Sequence, residues 1–70
     1  MKYLIIIEPT DTGFSAYSPD IAGCIATGET QDEVRSNLID AIEFHLEGMA
    51  AQGETIPKAT SIADYVEIAA

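Results

Sequence analysis

The 70-residue chain has one cysteine, one histidine, three Lys+Arg and no tryptophan. Cys24 cannot close an internal disulfide, and with His45 the lone histidine, no Cys/His zinc site can be built. Lys2, Arg35 and Lys58 form no basic stripe able to track a nucleic-acid backbone. Against twelve Asp+Glu they leave a net charge of −9, which repels phosphate. Neither direct nucleic-acid binding nor docking on an anionic membrane is expected. The one apolar run near the start, Tyr3 to Ile7, ends at Glu8-Pro9, short of the roughly 7–15 residues of a secretory core. With a single cysteine and no leader, the reading places the protein in the cytoplasm.

What is present describes one small folded domain, residues 1–70. The chain is 47% hydrophobic and 21% charged, too apolar for a disordered acidic tail. A chain of this size buries only about 60% of its unfolded surface. Of the usual reinforcements for small scaffolds, only oligomerisation or complex formation remains open to it. The charge reads either as plain solubility or as the complement of a basic macromolecular partner.

Tyr3-Leu4-Ile5-Ile6-Ile7 is apolar on both pleat faces, the pattern of a central strand. The turn-forming Pro9-Thr10-Asp11-Thr12-Gly13 and the alternating Phe14-Ser15-Ala16-Tyr17 make a hairpin. Ile21 to Thr27 forms a third strand, in which Gly23 suggests a bulge or close backbone approach. Thr30-Gln31-Asp32-Glu33 is a capping box: the Thr30 oxygen takes the Glu33 amide and the Glu33 carboxylate reaches back to the Thr30 amide. In the helix that follows, Val34, Leu38, Ala41, Ile42, His45 and Met49 fall within about 100° of one another, a core-facing stripe. Asp32, Glu33, Asp40, Glu43 and Glu47 gather opposite. Gly53 is placed to close the helix in a left-handed cap. Ile62 to Ile68 alternates as a last strand.

The order is β-β-β-α-β, an α+β arrangement. With the first strand central, the sheet is mixed and four-stranded, ordered 3-2-1-4 by chain position. One helix crosses right-handedly over one face. The other face is left uncovered although the first strand is apolar on both sides, and a second copy of the chain is the simplest cover.

Chemistry is sparse. His45, on the apolar stripe, reads as a half-buried histidine bonded to a neighbour, and Cys24, inside an apolar strand with no nearby Lys or Arg in sequence, as a small core residue. The topology is a truncated RNase H-like core, but the middle of the first strand carries no carboxylate. Asp64 and Glu43 alone make no metal cage, so neither a metal nor a cofactor is expected. Glu33, Asp40, Glu43 and Glu47 form either a solvated face or a docking face for a basic protein. Phe14 and Tyr17, beside the Asp11 and Asp20 loops, are either anchors for such a partner or core residues.

Pro19-Asp20-Ile21-Ala22-Gly23-Cys24, Thr27-Gly28-Glu29-Thr30, Gln31-Asp32-Glu33-Val34, Ala41-Ile42-Glu43-Phe44-His45-Leu46-Glu47-Gly48 and Gly53-Glu54-Thr55-Ile56-Pro57 follow one another along nearly the whole chain. In this order they resemble the HicB family of type II antitoxins. The resemblance implies a partial RNase H-like domain that is not an enzyme and that self-associates as dimers or larger assemblies such as tetramers. It implies binding to HicA, a small basic mRNA-cleaving toxin with a double-stranded-RNA-binding-like fold and a catalytic histidine. Ala22 stands where many members have Pro. Longer members continue into a helix-turn-helix or ribbon-helix-helix segment that binds the operator, and the sequence stops at Ala70 before any such segment, so the resemblance does not carry operator binding or autorepression over to it.

The combined reading is an antitoxin-like protein that covers the toxin's RNA-binding and catalytic face through Glu8, Asp11, Phe14, Tyr17 and Asp20, with Glu43 and Glu47 on the helix. The alternative is an orphan oligomeric interaction or sensing module of the same fold.

Overall fold

In the computed structural model, which describes residues 1–70, three strands precede one helix: β1 (Ile6–Pro9), β2 (Phe14–Ser18), β3 (Ile21–Gly28) and α1 (Gln31–Ala51). The strands form an antiparallel meander in the order β1-β2-β3. The β1–β2 turn is closed by the Thr10 amide donating to the Gly13 carbonyl at 2.8 Å. Gly13 lies so close to β3 that a Cβ there would overlap the Gly28 carbonyl oxygen. Pro9, with no N–H to give a ladder, sits where proline is tolerated, at the end of an edge strand.

Register assigns the two sheet faces. Ile7, Ala16 and Ala26 lie side by side, and Ala16 is fully buried, so this face meets the helix. Ile6, Tyr17 and Ile25 lie side by side on the opposite face. The β2–β3 ladder slips between Tyr17, which faces Ile25, and Ser18, which faces Ile21. Gly23, with φ +84°, lies in the extra length of β3 at this slip, where the sequence suggested a bulge.

The Thr30 hydroxyl caps α1, accepting from the Glu33 amide at 3.0 Å. The reciprocal bond differs from the expected one: the Glu33 carboxylate accepts from the Glu29 amide at 3.3 Å, not from that of Thr30. Thr30 is extended (φ −124°, ψ 162°), which turns the preceding amide toward the first helical turn. At the far end Gly53 takes φ +74°, its amide donates to the Ala50 carbonyl and the Glu54 amide to the Met49 carbonyl, a Schellman closure.

Ala16, Ile21, Cys24, Val34, Leu38 and Ile42 form the buried core, with Tyr3, Ile5, Ile7, Phe14, Ala26 and Leu46 packed around it. The helix lies mainly across β3 and β2 and meets β1 least.

Two expectations fail together. The first strand is not Tyr3–Ile7 in the middle of a four-stranded sheet but Ile6–Pro9 at the edge of three, and Ile62–Ile68 forms no strand. The mixed 3-2-1-4 order and the right-handed crossover are therefore absent, and the sheet is wholly antiparallel. Alternation along Ile62–Ile68 expresses fitness for a pleated surface, whereas a strand exists only where a partner edge offers ladder bonds in register. Residues 62–65 instead lie beside Leu4–Ile7 across an open apolar groove of about 400 Å³.

Candidate functional site

The sheet face turned away from α1 carries an apolar row, Ile6, Tyr17 and Ile25, flanked by the polar row Glu8, Ser15 and Thr27. Tyr17 is 37% exposed and Ile25 68%. The row continues around the outer edge of β3. Ile25 and Phe44, the latter 78% exposed on α1, line one groove of about 440 Å³ together with Cys24, Ala41, His45 and Met49. Glu54 lines the same groove, and Glu43 and Glu47 are exposed one turn apart on α1. An apolar strip with an acidic margin suits a partner that presents aromatic or aliphatic anchors within a basic surface.

The residues singled out in the sequence are distributed unevenly over this surface. Glu8 and Tyr17 share the outer sheet face; Asp11 is exposed in the β1–β2 turn; Glu43 and Glu47 lie on the helix. Phe14 faces the other way and packs against the core. Asp20 is occupied within the chain. Its carboxylate accepts from the Thr60 amide (3.2 Å) and hydroxyl (3.2 Å) and from the Ser61 amide (3.1 Å) and hydroxyl (2.8 Å). The Ser61 hydroxyl first, then its amide, holds the Asp20 carboxyl below the usual carboxylate range. Ile25 and Phe44, both exposed along this band, lie outside the residues singled out in the sequence. The signal was legible for Phe44, a large aromatic lying off the core stripe of its helix.

Groups able to do covalent chemistry are not assembled. The Cys24 thiol is buried beside the Ala41 carbonyl at 3.9 Å, and burial pushes it up, away from the reactive thiolate. No three His, Cys, Asp or Glu side chains converge as metal ligands. No helix is long and apolar enough to cross a membrane.

Comparison with known proteins decides the family. The model of the HicB-like antitoxins of bacterial toxin–antitoxin systems matches residues 3–69. The chain belongs to this HicB-like antitoxin family. Among its relatives, a 14.9 kDa protein of the rep-hol intergenic region of Haemophilus phage HP1 is 39% identical over 66 residues, 94% of this chain. The chain spans half the length of that relative. A UPF0150 protein of Synechocystis is 33% identical over 81% of this chain and 73% of its own length, and one of Helicobacter pylori is 31% identical over 91% and 90%. No solved structure matches.

Proposed function

We propose that this protein binds and neutralises a small basic HicA-type mRNA-cleaving toxin by covering its RNA-binding and catalytic face, acting in the cytoplasm as a homo-oligomer with no chemistry of its own. The observation that carries this reading is the apolar band Tyr17–Ile25–Phe44, with Glu54 in its groove and Glu43 and Glu47 exposed on the same helix as Phe44, on a chain of net charge −9 in an antitoxin family. The band supplies desolvated anchors, and the carboxylates, with Glu8 and Asp11 further out, steer a basic partner. Phe14 and Asp20, from the sequence-based set, act indirectly, one supporting the sheet and the other tying down residues 60 and 61.

Exposure of the apolar Ile62, Tyr65, Val66 and Ile68 favours one second reading, an oligomeric interaction or sensing module without a toxin. Co-expression with the adjacent open reading frame separates the two. Growth rescue and co-purification of a short basic protein are the expected result; a neighbour that is neither toxic nor retained would leave only the interaction module.

A further inference from the structure

We propose that Ile62–Ile68 is a strand that pairs with the free edge of β1 in a second copy of this chain, so that two copies exchange arms. The inference gives the self-association above its surface and rests on that part of the reading alone.

Two unsatisfied elements occur in the same molecule. β1 pairs only with β2, so the backbone groups on its other edge have no ladder partner. Ile62, Tyr65, Val66 and Ile68 are 89, 96, 79 and 74% exposed on a segment with strand alternation and no regular structure. The segment starts from a fixed point, because Asp20 holds Thr60 and Ser61 and the Tyr3 hydroxyl donates to the Pro57 carbonyl at 2.5 Å. From there the chain runs past Leu4–Ile7 to the exposed Val66 and Ile68. The molecule measures 49 × 27 × 16 Å with a radius of gyration of 13.9 Å, against about 11 Å for a compact chain of this length.

The protein's own β1 does not use the arm. Residues 62–65 lie along Leu4–Ile7, yet no backbone hydrogen bond joins them, and Ile62 and Tyr65 stay almost wholly exposed. A two-fold pair resolves both deficits at once, since each copy offers the same edge and the same arm. Eight large apolar side chains from two arms, with the outer-face Ile6 residues beside the edges, suit a standard interface of about 1,200–2,000 Å². The β1 edge lies opposite the β3–α1 band, so the exchanged dimer leaves that band free for a toxin.

Sedimentation equilibrium of the full chain and of Tyr65→Pro tests this. The wild type is expected to dimerise at tens of micromolar. Tyr65→Pro, which removes a ladder donor outside the core, is expected to raise the dimer Kd about tenfold or more with the helical circular dichroism unchanged. Because both bodies carry −9, dimerisation is expected to tighten as salt rises, opposite in sign to toxin binding. Isotope-filtered NOEs in mixed labelled and unlabelled chains are expected to connect Ile62–Ile68 of one copy with Leu4–Pro9 of the other. A monomeric wild type would overturn self-association and this surface together, leaving toxin neutralisation untouched. A dimer indifferent to Tyr65→Pro, or arm-to-β1 NOEs confined to one chain, would overturn the exchange while self-association stands.

Discussion

Asp20 and Ser61, 41 residues apart in sequence, are joined twice: the Asp20 carboxylate accepts the Ser61 hydroxyl at 2.8 Å and the Ser61 amide at 3.1 Å. With the matching pair of bonds from Thr60, this clasp ties the root of the C-terminal arm to the β2–β3 turn. It is the contact by which the acidic loop of the Pro19–Cys24 motif organises a distant part of the chain.

The clasp has a pH signature. The folded carboxyl titrates below its ordinary value, chiefly through the Ser61 hydroxyl, so its contribution is complete at neutral pH and is lost only as pH falls through that lowered value. Amide protection factors at Thr60 and Ser61, exchange rates taken relative to the intrinsic rate at each pH, should therefore hold at pH 5 and fall below the usual carboxylate range near about 4. Asp20→Asn should speed exchange at both amides severalfold at neutral pH, with the α1 amides unaffected. Equal exchange in the variant and the wild type would dissolve the clasp.

Gly28 is where β3 meets the start of α1. A Cβ there would lie 2.7 Å from the Val34 amide nitrogen and 3.0 Å from its Cα, both backbone atoms with little room to move. Gly28→Ala is expected to destabilise the fold by about 2 kcal/mol, visible as a lowered thermal midpoint. Gly48→Ala, where a Cβ meets open space, should gain a few tenths up to about 1 kcal/mol from helix propensity.

Leu38 is fully buried in a core of only six residues. Leu38→Ala should cost about 2–5 kcal/mol, a large share of the roughly 4–10 kcal/mol that a chain of this size commands. Ser18 is the contrast. It is 3% exposed and its hydroxyl has no partner, so Ser18→Ala removes an unsatisfied group and should leave stability unchanged or higher by up to about 1 kcal/mol. Urea titration of the two variants side by side checks both signs.

For toxin binding, Phe44→Ala should cost about 2 kcal/mol or more as the loss of a central anchor, mostly through faster dissociation. Glu43→Gln with Glu47→Gln should mainly slow association and flatten its salt dependence. Stopped-flow association at low and physiological ionic strength, set against dissociation rates, distinguishes the two. Salt-independent association of the wild type would remove electrostatic steering from the account.

Much of the fold was legible because its signals are local. The Thr30 cap, the stripe through Val34, Leu38 and Ile42, and the closure at Gly53 each depend on residues within one or two helical turns, and all three occur. So does the meander, whose turns are short. The fourth strand was misread because Ile62–Ile68 has the pattern of a strand but no edge bonded to it. The apolar run Tyr3–Ile7 reads as central for the same reason: both its faces are buriable, but pairing partners decide where a strand lies. Within the candidate site, the exposure of Tyr17, Glu43 and Glu47 was legible in the sequence, whereas the packing of Phe14 against the core and the bonds of Asp20 across 41 residues were not, since neither is written locally.

The sequence by itself determined the charge, the helix with both its ends, the three-stranded meander and, through its ordered motifs, the family. Only the tertiary structure decided that β1 is an edge, that Asp20 holds the arm, and that Ile25 and Phe44 join Tyr17 in one exposed band. These are relations between residues far apart in the chain. They depend on which backbone groups find partners in space, and no local preference encodes that.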